Sequence, residues 1–223
     1  MCYEGGFFMS SEQLQSFFES TPGQISTLMM ILLLFIGILI SDRSKKADTK
    51  AMVTSAVLVA LSIALNQVII FRMPQGGSIT AFSMLPIVAC AYIYGVRRGV
   101  MAGMCVGLID LIFNPYVIHP IQMLLDYPLA FGALGFAGLL RDRKFGLVSG
   151  YIAGLLSRYL CSVLSGIIFF GQYAPEGFNA FTWSIYYNIT YLGVEGALTV
   201  AVLCIPAVRK AIGQLKKQTG AVN

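Results

Sequence analysis

A chain of 223 residues that is 57% hydrophobic and only 11% charged, with a mean hydropathy of +0.77, lies well outside the soluble globular range and reads as an integral membrane protein. The net charge of +5 rests on 15 Lys and Arg against 10 Asp and Glu. A single histidine excludes a multi-histidine metal site, and neither a G-x-x-x-x-G-K-[ST] loop nor a G-x-G-x-x-G fingerprint occurs, so any ATP hydrolysis must come from another chain.

Residues 1–50 come first. Met1 to Gly23 carry Glu4, Glu12 and Glu19 and no Lys or Arg, and they precede an apolar run from Ile25 to Ser41. Acidic residues before the run and Arg43, Lys45, Lys46 and Lys50 after it are the reverse of a cleavable signal peptide. The order predicts an uncleaved helix with its N-terminus outside.

Residues 51–223 contain six further apolar runs: Ala51 to Phe71, Ile79 to Tyr94, Val100 to Phe113, Ile121 to Leu140, Leu147 to Phe170 and Phe181 to Val208. A spanning helix needs roughly 20 residues, so the two short runs predict tilted or partly buried helices. The runs lack the ten-residue alternation of barrel strands. The expected fold class is therefore all-α, a polytopic membrane bundle of six helices with one extra N-terminal helix.

All the basic residues but Arg72 and Arg158 fall in four clusters between these runs or after the last: Arg43 to Lys50, Arg97 and Arg98, Arg141 to Lys144, and Arg209 to Lys217. One crossing per run places all four clusters on one side and the loops "RMPQGGS", "NPYVIHP" and "GQYAPEGFN" on the other. This is the positive-inside pattern of a plasma-membrane protein with a cytoplasmic C-terminus. The basicity thus reports topology and does not call for nucleic acid. Cys2, Cys90, Cys105, Cys161 and Cys204 are scattered, mostly in apolar runs, and read as small hydrophobes.

Small residues recur at four-residue spacing: Ala56, Ala60 and Ala64; Gly99, Gly103 and Gly107; Gly146, Gly150 and Gly154. Such faces let helix backbones approach closely in lipid. For the glycines, packing within the bundle is favoured over contact with another molecule.

Ionisable residues inside the membrane are the default site candidates: Asp110, Asp126, Arg158 and Glu195, with Trp183, Tyr187 and Asn188 on the outer half of the last helix. A carboxylate at depth costs about 2.5–3.5 kcal/mol by insertion scales, so Asp126 needs a partner, in the protein or in a ligand. Arg158 sits where it can snorkel inward, and Glu195 is placed to pair with it. His119, beside Pro120 in a loop, reads as a capping or solvated residue and not as a ligand. No nucleophile with a base and an orienting group can be assembled, so the chain reads as a binder and not an enzyme. One carboxylate with aromatic faces and an amide suits a flat cationic or amine-bearing heterocycle.

The segments "FRMPQGGSITAFSMLPI", "YGVRRGVMAG", "NPYVIHPIQMLLDYPLAFGALGFAGLL" and "SGIIFFGQYAPEG" resemble the thiamine-specific substrate-binding subunit of energy-coupling factor transporters, the ThiT or YuaJ family. The resemblance runs from about Ala51 to Arg209 and leaves the first fifty residues outside. It implies a six-helix bundle that binds thiamine at its outer face and joins a membrane scaffold subunit carrying two ATPases, which supply the ATP hydrolysis. No cofactor is implied.

Residue by residue, the resemblance carries a ligand role to Asp126, Tyr127, Asn188 and Tyr116. It aligns Ser162, Phe170 and Trp183 with positions where some members have His, Trp and Tyr. Tyr187 is taken with this aromatic cage. Pro74, Gly76 and Gly77 fall in the loop implied to close over the site, and Ala56, Ala60 and Ala64 on the face implied to meet the scaffold. A subunit for a pyrimidine or thiazole precursor is the nearest alternative, and an autonomous membrane enzyme or sensor the alternative of a different class.

Overall fold

The computed structural model describes residues 49–219 without interruption, together with isolated positions between Ser20 and Ile36. The helix expected over Ile25 to Ser41 lies outside that continuous stretch, and the division at residue 50 falls at its edge.

In chain order the elements are α1 (Thr49–Asn66), β1 (Ile69–Arg72), β2 (Ser78–Thr80), α2 (Met84–Tyr94), α3 (Val96–Phe113), α4 (Pro120–Leu140), α5 (Gly146–Phe169), α6 (Ala180–Cys204) and α7 (Pro206–Gln218). The chain is an all-α membrane bundle. Four helices, α1, α4, α5 and α6, are long and apolar enough to cross a membrane. α2 has 11 residues, about 16 Å at 1.5 Å per residue, too short to span about 30 Å of hydrocarbon. It is instead enclosed by its neighbours, with Met84, Ile87, Val88, Cys90, Ala91 and Ile93 all buried.

Two of the expected runs end differently. The first helix stops at Asn66, and Ile69–Arg72 pairs antiparallel with Ser78–Thr80 as a short hairpin. The hairpin accounts for both ends of the overestimate, Phe71 in β1 and Ile79 in β2. β-branched and aromatic residues there favour a pleated strand over further helix. The last run breaks at Ile205, because Pro206 has no backbone N–H to continue the ladder, and α7 sets off in a new direction.

α7 is amphipathic: Val208, Ile212 and Leu215 pack on the bundle while Arg209, Lys210 and Lys217 stay exposed. Its buried Lys216 donates to the Arg141 carbonyl at 2.9 Å and lies 4.3 Å over the Tyr92 ring. Lys50 Nζ donates to the Gln218 carbonyl at 2.6 Å, and Gly95 lies close under the Arg141 guanidinium. Residues of three basic clusters, and Gly95 just before the remaining one at Arg97 and Arg98, therefore share one end of the bundle, as the loop pattern requires.

The glycine faces are used inside the bundle. A side chain at Gly103 would strike the Phe131 carbonyl, one at Gly107 the Tyr127 carbonyl, and one at Gly154 the Leu134 carbonyl. α3 and α5 thereby seat against the two flanks of α4 at backbone contact.

Candidate ligand-binding site

At the end opposite the basic clusters, the hairpin, the end of α1 and the adjoining parts of α3 to α6 enclose a cavity with about 930 Å³ of empty space, its open mouth included. Asp126, Tyr127, Tyr116, Ser162, Phe170, Trp183, Tyr187 and Asn188 all line it, and so do Gly76 and Gly77 of the hairpin. Pro74 occupies the hairpin turn without reaching the lining.

Asp126 and Tyr127 stand on a local widening of α4. Residues Leu125–Leu129 form a π-turn between α-helical segments, and Pro128 inside it supplies no N–H for the helical ladder. Such single π-turns gather at functional sites because they re-aim side chains. Gln122 Nε2 donates to Asp126 Oδ2 at 2.7 Å and also to the Tyr116 carbonyl at 3.1 Å. The carboxylate thus has a protein partner on one side and the cavity on the other.

Tyr127 is spent on the mouth loop. Its hydroxyl donates to the Asn114 carbonyl and accepts from the Tyr116 N–H, both at 2.7 Å. Tyr116 is thereby held with its ring 6.0 Å from that of Phe170, nearly parallel. His119 caps α4, its Nδ1 accepting from the Ile121 N–H at 3.1 Å, as expected of a histidine before proline.

On α6, Trp183 stacks with Tyr186 at 6.0 Å and lies 5.8 Å from Tyr187. Its buried indole Nε1 has no hydrogen-bond partner, leaving a donor at the cavity wall. Asn188 donates to the Ser184 carbonyl at 2.9 Å and accepts from the Tyr191 hydroxyl at 2.9 Å. Gly166 lets α5 close on this point, since a Cβ there would meet Ser184 Oγ.

Three further charged residues line the cavity. Arg158 neither snorkels nor pairs with Glu195: its guanidinium lies 3.8 Å over the Phe131 ring, facing the cavity. A cation held on an aromatic face inside the bundle gains more than at an exposed site. Asp110 accepts from Asn66 Nδ2 and, at 2.9 Å, from Asn114 Nδ2, tying the ends of α1 and α3 together. Glu195 is bound by the hairpin instead of by Arg158, its oxygens accepting from Thr80 and Ser83. Sequence reasoning found these residues but not their partners, most of which lie on other elements; Asn114, four residues after Asp110, is the local exception. Gln122, one turn before Asp126, was missed; its i, i+4 spacing to Asp126 was the available signal.

Among the described residues no group of three His, Cys, Asp or Glu could hold a metal. The arrangement can grip a small ring between aromatic faces, with a carboxylate, an indole N–H and a guanidinium around its edge.

A curated relative from Bacillus subtilis (strain 168), the thiamine transporter ThiT, is 35% identical over 67% of this chain and 86% of its own length. A thiamine transporter ThiT from Lacticaseibacillus paracasei is 28% identical over 67% of this chain and 82% of its own. Among solved structures, ThiT from Listeria monocytogenes superposes with a TM-score of 0.59 over 70% of this chain and 94% of that one; at 23% identity this is a likeness of fold. These curated relatives are named as transporters, which is not an enzymatic function. The family model described as thiamine transporter protein (Thia_YuaJ) matches residues 52–213, and the chain belongs to that family.

Proposed function

We propose that this chain binds thiamine at the outer face of the plasma membrane and serves as the substrate-binding subunit of an energy-coupling factor importer. The observation that carries the reading is the outer cavity, where Asp126 faces a cage formed by Tyr116, Phe170, Trp183 and Tyr187. A carboxylate suits both the aminopyrimidine N–H groups and the positive charge of the thiazolium, and stacked rings suit its flat heterocycles. The names of the relatives point to the same ligand.

Energy would come from a scaffold subunit with two ATPases. The α1 face that would meet the scaffold is outward: Ala56, Ala60 and Ala64 are exposed, in line with Met52, Val53 and Val57. The hairpin with Pro74, Gly76 and Gly77 would act as the lid, and the end with the basic clusters and α7 would face the cytoplasm.

Trp183 is the only tryptophan, so its fluorescence reports on the proposed site. Titration of the detergent-solubilised protein with thiamine is expected to give saturable quenching at nanomolar ligand. Asp126→Asn is expected to weaken that binding at least tenfold, about 1.4 kcal/mol. Absence of both quenching and calorimetric heat in the wild type would overturn thiamine as the ligand.

A further inference from the structure

Glu195 has no task in the binding scheme above, yet it is one of the most enclosed charged side chains in the molecule, at 3% exposure in the middle of α6. Its carboxylate accepts from the Thr80 backbone N–H at 3.1 Å, from Thr80 Oγ1 at 2.9 Å and from Ser83 Oγ at 3.1 Å. Ser62 Oγ donates to the Ser83 carbonyl at 2.6 Å, so α1, the β2–α2 junction and α6 meet at one buried point. Between the two bonded residues, Phe82 adopts φ +63°, a conformation that non-glycine residues hold only where their surroundings enforce it.

The rest of the hairpin is held by weaker means. On the β1 arm, Arg72 Nη2 reaches Asn114 Oδ1 at 3.4 Å in an exposed setting. At the tip, the Gln75 N–H donates to the Tyr187 hydroxyl at 2.9 Å, and Gly76 and Gly77 rest on the Tyr116 and Tyr191 rings. Hydrogen bonds shielded from water lose least to competition, and three of them converge on this one carboxyl group. The hairpin is therefore fastened by three converging buried hydrogen bonds at β2, and by single, less buried ones on the β1 arm and at the tip.

We propose that Glu195 is the fixed pivot of the hairpin: a positioning residue that confines opening to the β1 arm and the tip, and so sets how fast a bound ligand leaves. The proposal rests on the ligand-binding reading of this cavity. Tyr116, Tyr187 and Tyr191 connect the two, because they line the cavity and also carry the tip. A ligand seated against those rings stiffens the surface on which the tip closes. With the β2 end fixed, the tip returns to the same place after each opening.

Glu195→Gln tests this. Its amide presents a donor toward the Thr80 N–H or a hydroxyl in place of an acceptor, and the backbone N–H cannot turn away. In the ligand-free full-length protein in detergent, hydrogen exchange of the Thr80–Ser83 amides is expected to speed at least tenfold, with α4 and α6 amides unchanged. Thiamine dissociation, followed by Trp183 fluorescence after mixing with excess competitor, is expected to be at least tenfold faster, while association changes by less than about threefold.

Should Glu195→Gln fail to fold, Thr80→Val combined with Ser83→Ala removes two of the three donors from the other side and is expected to give the same pair of changes. Unchanged exchange at Thr80–Ser83, or loosening spread through α4 and α6, would overturn the pivot. Faster exchange with unchanged dissociation would overturn its link to ligand release. If the wild type binds no thiamine, the proposed function fails, while the exchange measurement still decides whether Glu195 holds the hairpin.

Discussion

The alanine stripe of α1 and the glycine stripe of α3 share one spacing and have opposite fates. Gly99, Gly103 and Gly107 are pressed against α2 and α4 so closely that a Cβ at any of them would collide with a neighbouring backbone or Ala91. Ala56, Ala60 and Ala64 are exposed. Glycine permits backbone-to-backbone contact, whereas alanine keeps a methyl and leaves a shallow groove suited to a partner approaching with its own side chains. The same small-xxx-small pattern is therefore covered in one helix and left exposed in the other.

The strongest way to break this contrast is Gly103→Val. Its branched side chain would run into the Phe131 carbonyl, with no flexible neighbour to yield. Overpacking of this kind costs about 1–3 kcal/mol and more where backbone must move. Thermal unfolding in detergent is expected to show a much lowered Tm or no folded protein, with thiamine binding lost alongside. Survival with normal stability would mean that α3 and α4 are not in backbone contact.

Ala60→Leu probes the other stripe. The exposed site has room for the larger side chain, so stability and thiamine affinity are expected to stay at wild-type values. Uptake in cells that contain the complete transporter is expected to be abolished. Loss of ligand binding in the same variant would instead place α1's alanine face inside the bundle.

Gly213→Ala is the smallest change. Gly213 lies on α7 with open space around it and helical backbone, so nothing resists a methyl there. Removing the conformational cost of glycine from a helix interior should stabilise α7 by up to about 1 kcal/mol. A Tm rise of about 2 °C with unchanged ligand affinity is expected, which would separate glycines kept for contact from those that are not.

Individual residues show where reading the sequence stops. Asp126 stood out because a carboxylate in an apolar run demands a partner, and hydropathy alone revealed that anomaly. The π-turn that aims it was not legible, although Pro128 two residues later was its cause. Arg158 and Glu195 were singled out for the same reason as Asp126, and pairing them was the economical guess. In the fold they face different neighbours, an aromatic ring and the hairpin. The hairpin was hidden because Phe71 and Ile79 are as apolar as the helices on either side, and periodicity cannot separate short apolar strands from helix ends.

The sequence by itself determined the membrane class, the number and order of the core helices and the gathering of basic loops at one end, because hydropathy and charge act residue by residue against lipid and water. Tertiary structure alone decided which partner each buried charge takes and which small-residue stripe is covered. Those outcomes depend on contacts between elements far apart in the chain, and no local pattern encodes the identity of the residue on the other side.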